Sequence, residues 1–389
     1  MVEKYNGKKL AILGASYMAG IFLDKARSMG IKTYCFAWEE GAVAKSHADI
    51  FFPISVMERN QILRICTEQK IDGVMALTEA PISTCGYIAN QLHINGNSIE
   101  TSENITKKDW VRDRARKCVS LKQPASMVVN IDGLSTVNQW NVFPAIIKPV
   151  SGGGKRGVIV INQKDELKEG IDFAGACDNR HNGILIEEYI EKGMECSVET
   201  LSYKGNHQII QITEKISSGP PHCVELGHHQ PAAITEEQRT KVCQAITELL
   251  DAVCYCNGPA HTEIKIVGND IYLIELNPRP GGDHIASTLT GLSTGYDYIG
   301  QSICVALGFE PDQYNLCKDA YSGVYFITKQ TEFLKDTFER CEDKPWLYKK
   351  HVESDELTNL SHNDCMHTNY MIYYSNYRVD LINHKEERQ

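Results

Sequence analysis

Between Lys8 and Gly14 the chain is a short apolar run ending in glycine. After it, Ala19, Phe22, Leu23, Ala26 and Met29 recur at helical spacing. The pattern predicts a buried strand over 8–14, an amphipathic helix, and a second strand from Lys32 to Trp38. Ser55 and Glu58 have the spacing of a capping box ahead of a helix carrying Ile62, Leu63, Ile65 and Cys66, and a strand follows over Gly73–Thr78. Strands alternating with helices imply a parallel sheet with right-handed crossovers, so the first hundred or so residues read as one α/β unit. Further on, the pattern predicts a helix from Thr106 to Lys117 with a solvent-facing cationic side, strands over 143–150 and 158–161, and a helix from about Asp165. A strand, a connector and a second strand span 183–198, and strands at 323–327 and 370–374 suggest a small β-rich C-terminal piece. The last residues, 383–389, are highly charged and expected to fray.

The turn Gly14–Gly20 invites a dinucleotide reading, but Ser16 and Ala19 stand where the fingerprint needs its second and third glycines. The unit reads instead as a scaffold with part of a substrate pocket at its strand ends. Glu79, just past the strand ending at Thr78, lies where ligands bind in open α/β sheets; equally, it could cap the helix that Pro81 begins.

Most chemistry is concentrated in 268–284. Glu275 and Asn277 are two residues apart in an apolar strand, so their side chains leave the same face. Glu263 lies on another strand-like run, joined by the turn Gly268-Asn269-Asp270. A hairpin would bring three oxygen ligands together, as Mg²⁺ takes when phosphates complete its shell. Spacing alone reads equally well as solvated acids on a surface hairpin.

Lys148 ends one strand, and Ser151-Gly-Gly-Gly-Lys-Arg-Gly157 follows before the next. A Walker A loop would end in Gly-Lys-Ser/Thr and enter a helix, which this loop does not. Successive glycines still present backbone N–H groups to an anion, and Lys148, Lys155 and Arg156 add charge, so a polyphosphate is the natural occupant. The connector after Glu187 could offer backbone groups to a flat heterocycle.

A net charge of −10 with no basic block argues against a nucleic-acid or membrane partner, leaving a small-molecule substrate. Met1–Lys9 lacks the layout of a signal peptide and no apolar stretch approaches the roughly 18 residues of a bilayer span, so the expected location is cytoplasmic. Fourteen cysteines are scattered, many in apolar runs, with no Cys-x-x-Cys; they read as buried reduced thiols rather than a zinc site or disulfide framework.

Taken in order, these pieces resemble the ATP-grasp superfamily of carboxylate-amine ligases over essentially the whole chain up to about residue 310. The resemblance implies an α/β class ATP-grasp fold. Its parts would be an N-terminal parallel α/β (pre-ATP-grasp) domain over 1–105, a linker helix and small lid over 106–200, and a C-terminal α+β catalytic part over 201–320, followed by the β-rich piece over 321–389. It implies ATP with Mg²⁺, two ions expected and Mn²⁺ an alternative. Lys108, Lys148, Ser151, Gly152, Gly153, Gly154 and Gly157 would hold phosphates. Glu187, Tyr189 and Ile190 would read adenine, Glu195 the ribose, and Glu263, Glu275 and Asn277 the metal.

The runs 224–232, 258–265 and 277–284 look most like the L-amino acid ligases that make dipeptides. That likeness implies Arg279, Lys148 and His228 as catalytic residues, and Glu79, Glu225, His228, Arg279, Gly281 and Gly282 as substrate contacts. The implied partners are a small carboxylate and an amine, with a homodimer the commonest outcome for such enzymes. Alternatives are a bicarbonate-using enzyme of carboxylase or purine-pathway type and, from another class, a non-catalytic nucleotide-binding module or an NAD-dependent dehydrogenase.

Overall fold

A computed structural model describes residues 2–129, 137, 139–178, 183–314, 320–363 and 367–382; the charged stretch 383–389 lies outside them. The first sheet is parallel. It is built from β1 (Lys9–Leu13), β2 (Lys32–Ala37), β3 (Ile50–Pro53) and β4 (Gly73–Ala76) in the order β3-β2-β1-β4. The sequence pattern misses β3, a four-residue edge strand ending in proline, where the missing N–H costs no pairing. Ser55 and Glu58 form no capping box either. The helix starts at Arg59 without a side-chain cap, and Ser55 Oγ accepts from Met57 N instead.

The second sheet is antiparallel and holds β5 (Ser126–Val129), β6 (Ala145–Pro149), β7 (Ile159–Ile161) and β8 (Ile184–Glu188) in the order β5-β8-β6-β7. The third has eight strands: β9 (Met194–Tyr203), β10 (Asn206–Ser217), β11 (Glu225–Gln230), β12 (Gly258–Val267), β13 (Asp270–Asn277), β14 (Tyr321–Ile327), β15 (Leu347–His351) and β16 (Asn369–Ser375). Their order is β13-β12-β9-β10-β11-β14-β16-β15. Residues 183–198, read as two consecutive strands, thus place β8 in one sheet and β9 in another, and the connector 189–193 joins the two sheets. The C-terminal strands, with β15 unforeseen, extend the large sheet.

Alternation in β9, β10 and β12 explains how this sheet serves both core and site. Cys196, Val198, Ile212, Ala260, Ile264 and Ile266 pack on one side with Val242, Ala245, Ile246, Leu249 and Leu250 of the helix Glu236–Ala252. That helix opens with a complete capping box, Thr235 and Gln238. Each fully buried Val, Ile or Leu among them contributes about 1.5–3 kcal/mol. The intervening positions, Glu195, Glu199, Lys215, His261, Glu263 and Lys265, are polar and form the opposite face.

The cationic helix, observed over Lys108–Ala115, departs from expectation at Arg112. This side chain points inward, 4% exposed. Its Nε and Nη2 donate to Glu187 at 2.6 and 3.1 Å, and Nη2 also donates to the Ile274 carbonyl at 2.8 Å. The described cysteines are free, although Cys254 is exposed rather than buried.

Candidate active site

A cavity of about 200 Å³ lies between the second sheet and the polar face of the third. Lys148 and residues 151–155 form one wall, Glu187–Ile190 a second, and Glu195, Lys215, His261, Glu263, Glu275 and Asn277 the third. Lys108, Arg279, Gly282 and Asp283 also line it. The hairpin is present. Glu263 lies opposite Glu275, and His261 opposite Asn277, so all four side chains share a face. A bulge beyond Glu263 inserts Ile274 into β13 and brings it to the cavity beside Glu275, adding an apolar surface that strict alternation does not predict.

Most of the anticipated contacts converge here. Lys108, Lys148, Ser151, Gly152, Gly153, Gly154, Glu187, Tyr189, Ile190, Glu195, Glu263, Glu275, Asn277, Arg279 and Gly282 all line the cavity. Gly157, Glu79, Glu225, His228 and Gly281 do not. Gly157 turns the chain with φ +70°, and a Cβ there would meet Cys177 at 2.8 Å. Glu79 does not cap the following helix; it accepts from Arg279 Nε at 2.7 Å and lies 2.6 Å from Nη2. Glu225 is buried against Lys155 and Lys215 at 2.7 and 2.9 Å. His228 is fully buried, its Nε2 3.7 Å from Asp283, and neither ring nitrogen has a hydrogen-bond partner among the described residues. Gly281 sits behind the wall, its N–H donating to Glu199. The large sheet carries Glu225 and His228 one layer back from the wall, where linear motifs cannot show depth.

The glycine loop is folded over the cavity. Lys108 donates to the Gly152 carbonyl at 3.0 Å. Lys155 donates to the Cys223 carbonyl at 2.7 Å and to Glu195 at 3.3 Å. From the C-terminal region, Asn363 N donates to the Gly154 carbonyl at 3.1 Å. Lys265 pins the connector by donating to the Ile190 carbonyl at 2.6 Å.

The charges are interlocked. Burial favours a neutral Glu187, but Arg112 and Lys148 overcome it and hold the carboxyl at about 2. Its partner Lys148, 2.6 Å away, moves down rather than up, because burial, with repulsion from Arg112 and Lys108, outweighs the pull of Glu187 and Glu275. Burial opposes ionisation of Glu263 too, yet Lys215 at 2.8 Å, with His261 and Lys155, keeps it well below the carboxylate range. Burial would likewise neutralise His261, but Glu199 and then Glu263 raise it to about 9. His284 behaves oppositely: burial lowers it to about 4 against the pull of Asp283.

The donor set suits a hard cation. Two carboxylates and an amide on one face are what Mg²⁺ accepts when phosphate oxygens supply further ligands. Among the described residues no group of three or more His, Cys, Asp or Glu surrounds a single point. Lysines attend both carboxylates, with Lys108 3.2 Å from Glu275. Arg112, Lys215, His261, Glu199 and Asn363 escape motif reading. Period-two alternation from Glu263 and Glu195 could have flagged His261 and Glu199; nothing local flags Arg112 or Asn363.

A profile of the ATP-grasp domain matches residues 141–288, which include strands β6 to β13 and the Glu275–Arg279 strand end. These residues form an ATP-grasp domain. The chain that carries this ATP-grasp domain is 26% identical over 221 residues to pyruvate carboxylase of Bacillus subtilis (strain 168), covering 53% of itself but only 19% of that protein. It is 20% identical over 367 residues to formate-dependent phosphoribosylglycinamide formyltransferase of Sulfurovum sp. (strain NBC37-1), covering 87% of itself and 88% of the relative. The L-amino acid ligase of Bacillus licheniformis superposes with a TM-score of 0.76 at 21% identity, covering 96% of this chain and 94% of the other. At that identity the likeness is one of fold. No helix among the described residues is long and apolar enough to cross a membrane.

Proposed function

We propose that the protein is an ATP-dependent ligase that joins a small carboxylate, in the first instance an amino acid, to an amine and releases ADP and phosphate. The observation that carries this reading is the β13 end. Hard oxygen donors Glu275 and Asn277, opposite Glu263 and His261, lead directly into Arg279 at the rim of a cavity roofed by lysines and a glycine loop.

A carboxylate is a poor electrophile. Bound ATP with Mg²⁺ would supply the γ-phosphoryl group and neutralise the charge that develops as it transfers. Glu263, Glu275 and Asn277 are the residues that would hold the ion. A carboxylate oxygen takes the phosphoryl group as the bond to ADP breaks; the amine then attacks the carbonyl carbon, loses a proton and expels phosphate. Lys108, Lys148 and the loop N–H groups orient the phosphates, while Glu187–Ile190 and Glu195 face the positions suited to base and sugar. Arg279, steadied by Glu79, faces the carboxylate and the oxyanion formed on amine attack. Asp283, at the cavity wall with His228 behind it, is assigned to receive the amine's proton. The folded loop keeps water from an acyl phosphate that would otherwise hydrolyse.

Supplying amino-acid pairs with ATP and Mg²⁺ and measuring nucleotide and phosphate tests the reading: ADP with phosphate is expected, and AMP with pyrophosphate would refute it. A second reading, bicarbonate as phosphoryl acceptor, draws on the similarity to pyruvate carboxylase. ATP hydrolysis dependent on bicarbonate and indifferent to amino acids would favour it.

A further inference from the structure

His261 and Glu199 are two buried ionisable groups that the ligase mechanism leaves without a task. They face each other across β12 and β9, with His261 opposite both Glu199 and Asn277. Glu199 is completely buried, and its Oε1 hydrogen-bonds to His261 Nδ1. This contact leaves the other ring nitrogen, Nε2, directed at Glu263 Oε1, 3.4 Å away. The second oxygen of Glu199 accepts the Gly281 N–H at 2.9 Å, in the loop that carries Arg279 and Asp283. One continuous path therefore runs Glu263, His261, Glu199, Gly281. It is tightly fitted, since a Cβ on residue 281 would stand 2.5 Å from Glu199 Oε1 and 2.7 Å from His261 Nδ1.

A carboxylate on a strand can rotate, and Lys215 alone would draw Glu263 toward Glu195 and Glu225, the other carboxylates it serves. His261 approaches the same Glu263 oxygen from β12 itself and is held in orientation by Glu199. We propose that Glu199 and His261 are a positioning pair: they fix Glu263 as a divalent-metal ligand and lock the 278–283 loop in register with it. The pair thereby couples metal binding to the substrate carboxylate site. This rests on the ligase reading, in which Glu263 is a metal ligand. Partners that orient metal ligands commonly cost 10–100-fold in metal affinity or activity when removed.

The test is Mn²⁺ binding to the whole protein with saturating ADP, followed by electron paramagnetic resonance, alongside ADP binding in EDTA. In His261→Ala the Mn²⁺ Kd should rise at least about tenfold, while metal-free ADP affinity stays within about twofold; His261→Gln, retaining an amide donor, should recover part of the loss. A folded His261→Ala protein with wild-type Mn²⁺ affinity, lower only in thermal midpoint, would overturn the proposal and leave the pair a purely structural contact. Should His261→Ala fail to fold, Gly281→Ala decides, because its methyl pushes on the pair without removing a charge. A raised Mn²⁺ Kd supports coupling through the loop, and an unchanged one overturns it. Failure of the wild-type protein to bind Mn²⁺ with ADP would instead refute the ligase reading and this one with it.

Discussion

Arg112→Met is the most demanding test of how the cavity is held. Wild-type Glu187 is 1% exposed and shared between Arg112, through two hydrogen bonds, and Lys148 at 2.6 Å. Methionine fills much of the arginine's volume but removes both bonds and the one to the Ile274 carbonyl. Breaking a buried pair from one side typically costs about 3–5 kcal/mol, and Lys148, still paired with Glu187, makes that an upper limit here. An independent bound agrees: Glu187 can escape by taking up a proton, which at pH 7 costs about 3.7 kcal/mol for a carboxyl of ordinary pKa near 4.3. At pH 5 the same escape costs only about 1 kcal/mol, so the penalty should shrink on acidification. Urea unfolding at both pH values measures it, provided m is unchanged. Adding Glu187→Gln and Lys148→Met to Arg112→Met should restore most of the loss, because no bare charge then remains buried. A single variant within about 1 kcal/mol of wild type at pH 7, or a triple variant no better than the single, would refute the argument.

Glu275→Gln should lower ADP formation by at least about a hundredfold through loss of a metal ligand; normal turnover would make the β13 end structural. The folded-state pKa of Glu187, about 2, lies below its unfolded value, so its contribution is complete above about pH 5 and lost as pH falls toward 2. It amounts to about 3 kcal/mol, and wild type but not Glu187→Gln should lose that much on the acid limb of a urea-midpoint titration. Lys155→Met removes the ties to Glu225, Glu195 and the Cys223 carbonyl, so limited proteolysis within 151–157 should accelerate and an ATP analogue with Mg²⁺ should slow it again. Cleavage no faster than wild type would mean that Lys155 does not hold the loop.

How much was legible depended on the range of the interactions. The strands β1, β2 and β4 and the Glu263–Glu275 hairpin are written in local alternation and a three-residue turn, so the sequence reveals them and the shared face of Glu275 and Asn277. Sheet membership is not local: β8 and β9 look like one hairpin but serve opposite walls, because their partners are β5 and β6 for one and β10 and β12 for the other. Charge patterning failed at Arg112 because it sits in a run of charged residues beside the apolar Val111 and Ala115, and what draws it inward, Glu187 and the Ile274 carbonyl, lies 75 and 162 residues away. Depth also lay beyond the motif reading, which could place Glu225 and His228 near the chemistry but not one layer behind it.

The order of the large sheet has a practical consequence for anyone shortening the chain. β11, all six residues buried, pairs on one side with β10 and on the other with β14, whose own neighbour is β16. A truncation near residue 310, where the recognisable motifs stop, would strip β14 away and expose a row of unpaired N–H and C=O groups beside His228 and Glu225. Such a raw edge is a template for self-association. An inactive, aggregating fragment would therefore report a missing seam, not a missing catalytic group, and expression trials should retain residues through β16.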